Sequence, residues 1–211
     1  MTEGREQLRE LLDGWRREHG QQRLPIDVER LASARGIAVD DDGDEPLARR
    51  RFTVARRLTR TASPDEELCD WGASVLLMPD ELTWSYRADQ GLRAVERLAR
   101  DAKVSLEAAG LRLVERSAAP AAFLVAAATE QGLRVRYARV RELQAAVPRG
   151  AAIAPESALA RAAVSGRRER AVEPLPGGDP ERAFHMEAKS YPTGRGAGTR
   201  ERVLALAWPG S

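Results

Sequence analysis

Two neighbouring stretches decide how this chain is read: R-F-T-V-A-R-R-L-T-R, Arg51 to Arg60, and E-E-L-C-D-W-G-A-S-V-L-L-M-P, Glu66 to Pro79. In the first, Phe52 is followed by Val54, Ala55 and Leu58, an apolar side at helical spacing. Arg56, Arg57 and Arg60 occupy the rest of the same turns. In the second, Glu66 and Asp70 are four residues apart and share one face of a helix. Arginines along a helix ordinarily make a solvated face, so the flanking residues carry the weight of any sharper reading.

Those flanks resemble the active-site helices of the ImmA/IrrE family of zinc metallopeptidases. In that family the first stretch typically runs R-F-T-x-A-H-E-x-x-H. The second carries a carboxylate ligand in an E-x-x-x-D arrangement ahead of F-A-x-x-L-L-M-P. The resemblance implies a mainly helical, zincin-like N-terminal domain. It also implies that Arg56 and Arg60 stand at the two histidine places and Arg57 at the glutamate place, while Glu66 and Asp70 keep the carboxylate spacing. Gly72 stands where the family has an aromatic, with Trp71 beside it.

The substitutions bear directly on chemistry. Zinc takes neutral imidazole, thiolate or carboxylate, each with a lone pair to give. A guanidinium has donors only and stays charged at physiological pH. Arg56 and Arg60 cannot ligate, Arg57 cannot serve as the base, and three cations repel a dication. The resemblance therefore implies a pseudoenzyme, with no catalytic residue, no metal and no cofactor, zinc having been lost. It further leads us to expect an ion-pair latch, with Glu66 or Asp70 meeting Arg56 or Arg60 in place of the metal. Arginine and carboxylate are geometrically matched for such a link.

Composition sets the outer bounds. The 211 residues suit one domain or two small ones. Lysine plus arginine number 34 against 32 acids, a net charge of +2, so the chain is no polyelectrolyte as a whole. Aromatics are only 5%, which leaves alanine, leucine and valine to fill the core. The single cysteine, Cys69, excludes an internal disulfide and reads as a small buried residue. The N-terminal ten residues are charged and lack an apolar run, and no stretch is long and apolar enough for a membrane span. The expected location is cytoplasmic, with no membrane partner.

Three regions are expected: 1–79, degenerate metallopeptidase-like; 80–117, helical and helix-turn-helix-like; 118–211, a C-terminal antiparallel-sheet domain. The fold class is α+β. A helix is expected from about Arg5 to His19 on the spacing of Leu8, Leu11, Leu12 and Trp15. A second opens at Pro25 and Asp27 and ends at Gly36, with a glycine-isoleucine step into a short strand. This segment also resembles the start of the family. Asp40 to Glu45 reads as a solvated turn, and Leu47 to Phe52 as a short strand entering the arginine helix. Further on, L-R-A-V-E-R-L-A-R-D-A-K-V and L-E-A-A-G-L-R-L-V-E-R flank Ser105, a plausible N-cap, in a helix-turn-helix outline. The second of these helices offers only Arg112 and Arg116 to a duplex. A-A-F-L-V-A-A-A and L-R-V-R-Y-A-R-V make one hairpin around T-E-Q-G. A-F-H-M-E-A-K-S-Y and R-V-L-A-L-A-W make another around T-G-R-G-A-G, and Ala145 to Glu181 is partly helix and partly loop. His185 in its strand and His19 at its helix end read as structural histidines rather than ligands.

Four functions stay open on these residues. The first is a regulatory or protein-interaction module that holds a repressor-type, helix-turn-helix transcription factor without cutting it; active relatives cleave such repressors in stress and mobile-element regulation. The second is a DNA-binding regulator using Arg49, Arg50, Arg51, Arg56, Arg57 and Arg60 with the helix pair beyond. The third is a small-molecule sensor acting through the C-terminal sheet. The fourth is an enzyme resting on Glu66 and Asp70 alone, a weak constellation without base, metal or nucleophile.

Overall fold

Apolar periodicity changes from helical to alternating near residue 120, and the architecture follows it. The computed structural model describes residues 2–37, 47–60, 65–193 and 200–210. Among them, seven α-helices precede a five-stranded antiparallel sheet that carries one further helix, an α+β fold. The helices are α1 Thr2–Glu18, α2 Val28–Ala34, α3 Leu47–Arg60, α4 Glu66–Leu77, α5 Asp80–Thr83, α6 Leu92–Ala102 and α7 Leu106–Glu115. The strands are β1 Ala121–Thr129, β2 Gly132–Arg141, β3 Glu169–Pro174, β4 Ala183–Thr193 and β5 Arg200–Trp208, with α8 Ala158–Ser165 between β2 and β3.

Two compact units divide the chain: Met1–Tyr86 with Glu96–Arg112, and Arg87–Val95 with Leu113–Ser211. The helix-turn-helix-like segment 80–117 thus contributes to both units. In the first unit α3 packs on α4, α4 on α1 and α2 on α3. Arg51, Val54, Ala55, Leu58 and Thr59 form the buried stripe of α3. The short strand expected over Leu47 to Phe52 is instead the first turns of α3. The reason is that stripe: Arg51 stands three and four residues before Val54 and Ala55, and only a helix puts all three on one side. The strand expected after Gly36, the acidic run Asp40 to Glu45 and the glycine-rich residues 194–198 lie outside the described residues.

The caps follow residue chemistry. Asp27, Asp65, Ser105 and Ser157 each accept a backbone N–H three residues on, opening α2, α4, α7 and α8. Lys103 holds a positive φ of 53°. There the Val104 N–H bonds the Ala99 carbonyl and the Lys103 N–H that of Arg100, a Schellman stop to α6 without the usual glycine.

In the second unit the strand order is β2-β1-β5-β4-β3. The two expected hairpins, β1/β2 and β4/β5, are present, and the β1–β5 pairing joins them. Strand composition explains the order. Ala121 to Ala126 of β1 and the middle of β5 are uncharged and buried, as suits strands paired on both sides. β2 and β3, rich in arginine and glutamate, form the edges. Ala122, Leu124, Ala126, Met186, Ala188, Val203 and Ala205 cluster with Leu159 and Ala162 of α8 on one face. Phe123, Leu204 and Leu206, on the other face, are buried as well. The stretch from Ala145 to Glu181, expected as helix and loop, also holds β3. Burial alternates along it, but E-R-A-V-E-P does not show this because glutamates hold two of the three half-buried positions, Glu173 accepting the Ala158 N–H.

Candidate functional site

The junction of α3 and α4 is close because two small residues meet there. A Cβ on Gly72 would lie 2.7 Å from Leu8 Cδ2 and 2.9 Å from Thr59 Cγ2. An aromatic, the residue the resemblance leads one to expect there, has no room in this packing. Thr59 is fully buried and its hydroxyl lies 2.8 Å from the Cys69 carbonyl, donating from α3 into α4. Cys69 is itself buried and acts here through its backbone.

On the solvent side of that junction stands Arg56. Its Nη2 lies 3.4 Å from Glu66 Oε1 and its Nε 2.5 Å from Asp70 Oδ1. The geometry at Nε is not that of a directed hydrogen bond, so the contact with Asp70 is Coulombic. The structure thus brings Arg56, Glu66 and Asp70 together. Side-chain exposures of 37% for Arg56, 73% for Glu66 and 54% for Asp70 place the group at the surface. Arg57, one residue on, projects from the exposed side of α3. The side chain of Arg60, the other expected member of the latch, lies outside the described residues.

A zinc ion does not fit these residues. Both carboxylates are turned toward a guanidinium that offers no lone pair. Among the described residues no three histidine, cysteine, aspartate or glutamate side chains come together. His19 ends α1 on the Trp15 carbonyl, with its Nε2 3.9 Å from Glu18. His185 stacks on Trp208, ring centroids 6.0 Å apart.

The arginine cluster is largely spent on internal contacts. Arg51 is buried, donates to the Ile26 carbonyl at 2.5 Å and ties α3 to the start of α2. Burial lowers its pKa from the ordinary value, against the opposing pull of Asp27 and Glu29. Arg50 pairs with Glu29 at 3.1 Å. Arg5 and Arg9 of α1 lie 5.4 and 5.6 Å from the ring centroid of Trp71, cation–π contacts that bind α1 to α4. Arg16, also buried, engages Asp13 and Glu81.

Arg112, expected as one of two base-reading side chains, is 1% exposed. Its Nε donates to the Met78 carbonyl at 3.0 Å and its Nη2 to Asp80 at 2.8 Å. It pins α7 to the end of α4 and the start of α5, and a side chain so enclosed reads no base. On α6, Asp101 accepts the Tyr86 hydroxyl at 2.7 Å, while the Arg97 guanidinium lies 5.0 Å from the Tyr86 ring centroid. Burial, followed by that bond and the Asp101 charge, pushes Tyr86 up to about 12. The same bond, chiefly, lowers the Asp101 pKa.

Among the described residues one carboxylate is fully buried, and the readings above did not single it out. Glu187 of β4 is 0% exposed. Arg168 Nη1 meets its Oε1 at 2.5 Å, and the cross-strand neighbour Arg170 donates Nε to Oε2 at 2.8 Å. The Leu92 N–H at the start of α6 donates to Oε1 at 3.1 Å. Gly91 has φ +70°, and a Cβ there would come within 2.6 Å of Glu187 Oε2. Between His185 and Lys189, Glu187 reads as outward-facing by alternation. The one legible signal was an arginine pair, Arg168 and Arg170, near enough in sequence to share a strand face.

The fold defines an α+β protein whose surface junction of two helices holds an arginine between two carboxylates. No protein-family model and no curated protein matches the sequence. Among the described residues, no helix is long and apolar enough to cross a membrane.

Proposed function

We propose that the chain is a non-catalytic regulatory module on a metallopeptidase-like helix pair, one that holds a repressor-type transcription factor without cleaving it. A single observation carries the reading: the Arg56 guanidinium lies against Glu66 and Asp70, where the resemblance puts a metal. A guanidinium there links the helices by charge and supplies neither a Lewis acid nor a general base. The partner follows from the resemblance to peptidases that act on such repressors. The DNA-binding reading draws less support, because Arg50, Arg51, Arg56 and Arg112 are already engaged within the protein.

Two measurements on purified protein test the proposal together. Metal analysis after dialysis is expected to find no stoichiometric zinc. Mixing with a helix-turn-helix repressor encoded beside the gene is expected to give a complex in which the repressor stays intact, with or without chelator. One tightly held zinc per chain, with repressor cleavage abolished by chelator, overturns it.

A further inference from the structure

The two edges of the sheet are finished differently. Strand β2 carries Arg134, Arg136, Arg139 and Arg141. It bulges at Arg136, where Val125 and Ala126 face Tyr137 and Val135. At one end it is covered by a bridge from Arg134 to Ala152 and by bonds between Val135 and residues Gly150 and Ala151. Charge, bulge and cover are the devices that stop an edge from pairing further. Strand β3 runs in unbroken register with β4 from Glu169 to Pro174. It carries charge and a proline of its own, Glu169, Glu173 and Pro174, but no bulge; it exposes Val172 at 62%, and its one arginine pairs with Glu187.

From this contrast we propose that β3 pairs antiparallel with β3 of a second copy of this chain, Val172 opposite Val172, to make a continuous ten-stranded sheet. Backbone chemistry fixes which groups meet. Pro174 has no N–H, and a proline in a strand sits where its nitrogen faces the unpaired side. By the two-residue period, the backbone groups of Arg170 and Val172 face that side too. About a two-fold axis at Val172, each Val172 N–H meets the Val172 carbonyl of the second copy. Arg170 falls opposite Pro174, so its N–H meets the proline carbonyl. The donor that Pro174 lacks would have gone to the Arg170 carbonyl, and that carbonyl already accepts from Arg161 at 3.2 Å.

Side chains select the same register. Keeping the sheet faces continuous allows steps of two residues in the sum of paired positions. Centring on Ala171 instead sets Glu169 against Glu173, and centring on Glu173 sets two glutamates face to face, both disfavoured. Centring on Val172 brings no like charges into opposition and places Ala171 opposite Glu173. It also extends an apolar row, since Val172, His185 and Trp208 are cross-strand neighbours on one face.

Sedimentation velocity on the full chain, over concentrations up to about 1 mM, tests the pairing, with hydrogen exchange at Val172 as a second readout. The wild type is expected to dimerise with rising concentration as its Val172 amide becomes protected. Val172→Lys sets two cations on the axis; it is expected to stay monomeric with an unchanged far-UV spectrum and a freely exchanging residue-172 amide. A wild type that is monomeric throughout overturns the proposal. So does a dimer that persists in Val172→Lys with the Val172 amide unprotected in the wild type.

Discussion

Arginine meets carboxylate in both units, in opposite surroundings. At the α3–α4 junction one guanidinium lies between Glu66 and Asp70, with both carboxylates exposed and the arginine partly so. In the sheet one carboxylate, Glu187, lies between Arg168 and Arg170 and is wholly enclosed. Water screens the first group, and exposed pairs of that kind contribute about 0–1 kcal/mol. The second has exchanged hydration for two guanidinium donors and the Leu92 N–H, so losing any partner leaves a buried polar group unmet. The same chemical pair is adjustable at the surface and obligatory inside.

The largest expected effect is at Glu187. Glu187→Ala should cost about 3 kcal/mol, the low end for breaking a buried pair because Arg170 can rehydrate. Urea unfolding measures it, and a loss below about 1 kcal/mol would erase the contrast between the units. The Tyr86–Asp101 bond stands between the extremes. With the folded-state pKa of Tyr86 raised from 10.0 to about 12, the unfolded chain releases its proton first as pH rises. That stabilisation is full below about 10 and lost toward 12, corresponding to about 2–3 kcal/mol. The Asp101 contribution runs the other way: it is present above the ordinary value of 3.8 and lost as pH falls through the lowered one. Tyr86→Phe should flatten the alkaline loss, read as unfolding midpoints across that range. An unaltered alkaline limb would place its origin elsewhere. The smallest effect is expected at Arg56. Arg56→Gln should change stability by less than about 1 kcal/mol, and added salt should shrink even that. A larger, salt-resistant loss would show the junction to be as structural as Glu187.

Much of the architecture was legible because it rests on local periodicity. The Val54, Ala55 and Leu58 side of α3, the caps at Asp27 and Ser105 and both hairpins could be read from neighbouring residues. The proximity of Arg56 to Glu66 and Asp70 was legible because helical spacing puts the two acids on one face of α4. What escaped depended on distant chain. E-R-A-V-E-P becomes a strand because β4 is there to pair with it. Arg112 reads as a surface cation until Met78 and Asp80 close over it. Gly72 looked like a missing aromatic, yet it is the residue that lets α1, α3 and α4 meet.

The chain by itself determined an α+β protein, the arginines at 56 and 57 that exclude zinc chemistry on those side chains, and two acids four apart on one helix face. These follow from residue chemistry and helical period, which need no partner element. Tertiary structure alone decided which charges are buried, that the Arg56 group lies at the surface while Glu187 does not, and that β2 is bulged and partly covered while β3 pairs with β4 in unbroken register. Burial and strand order are set by what the rest of the chain places alongside, and no local spacing records that.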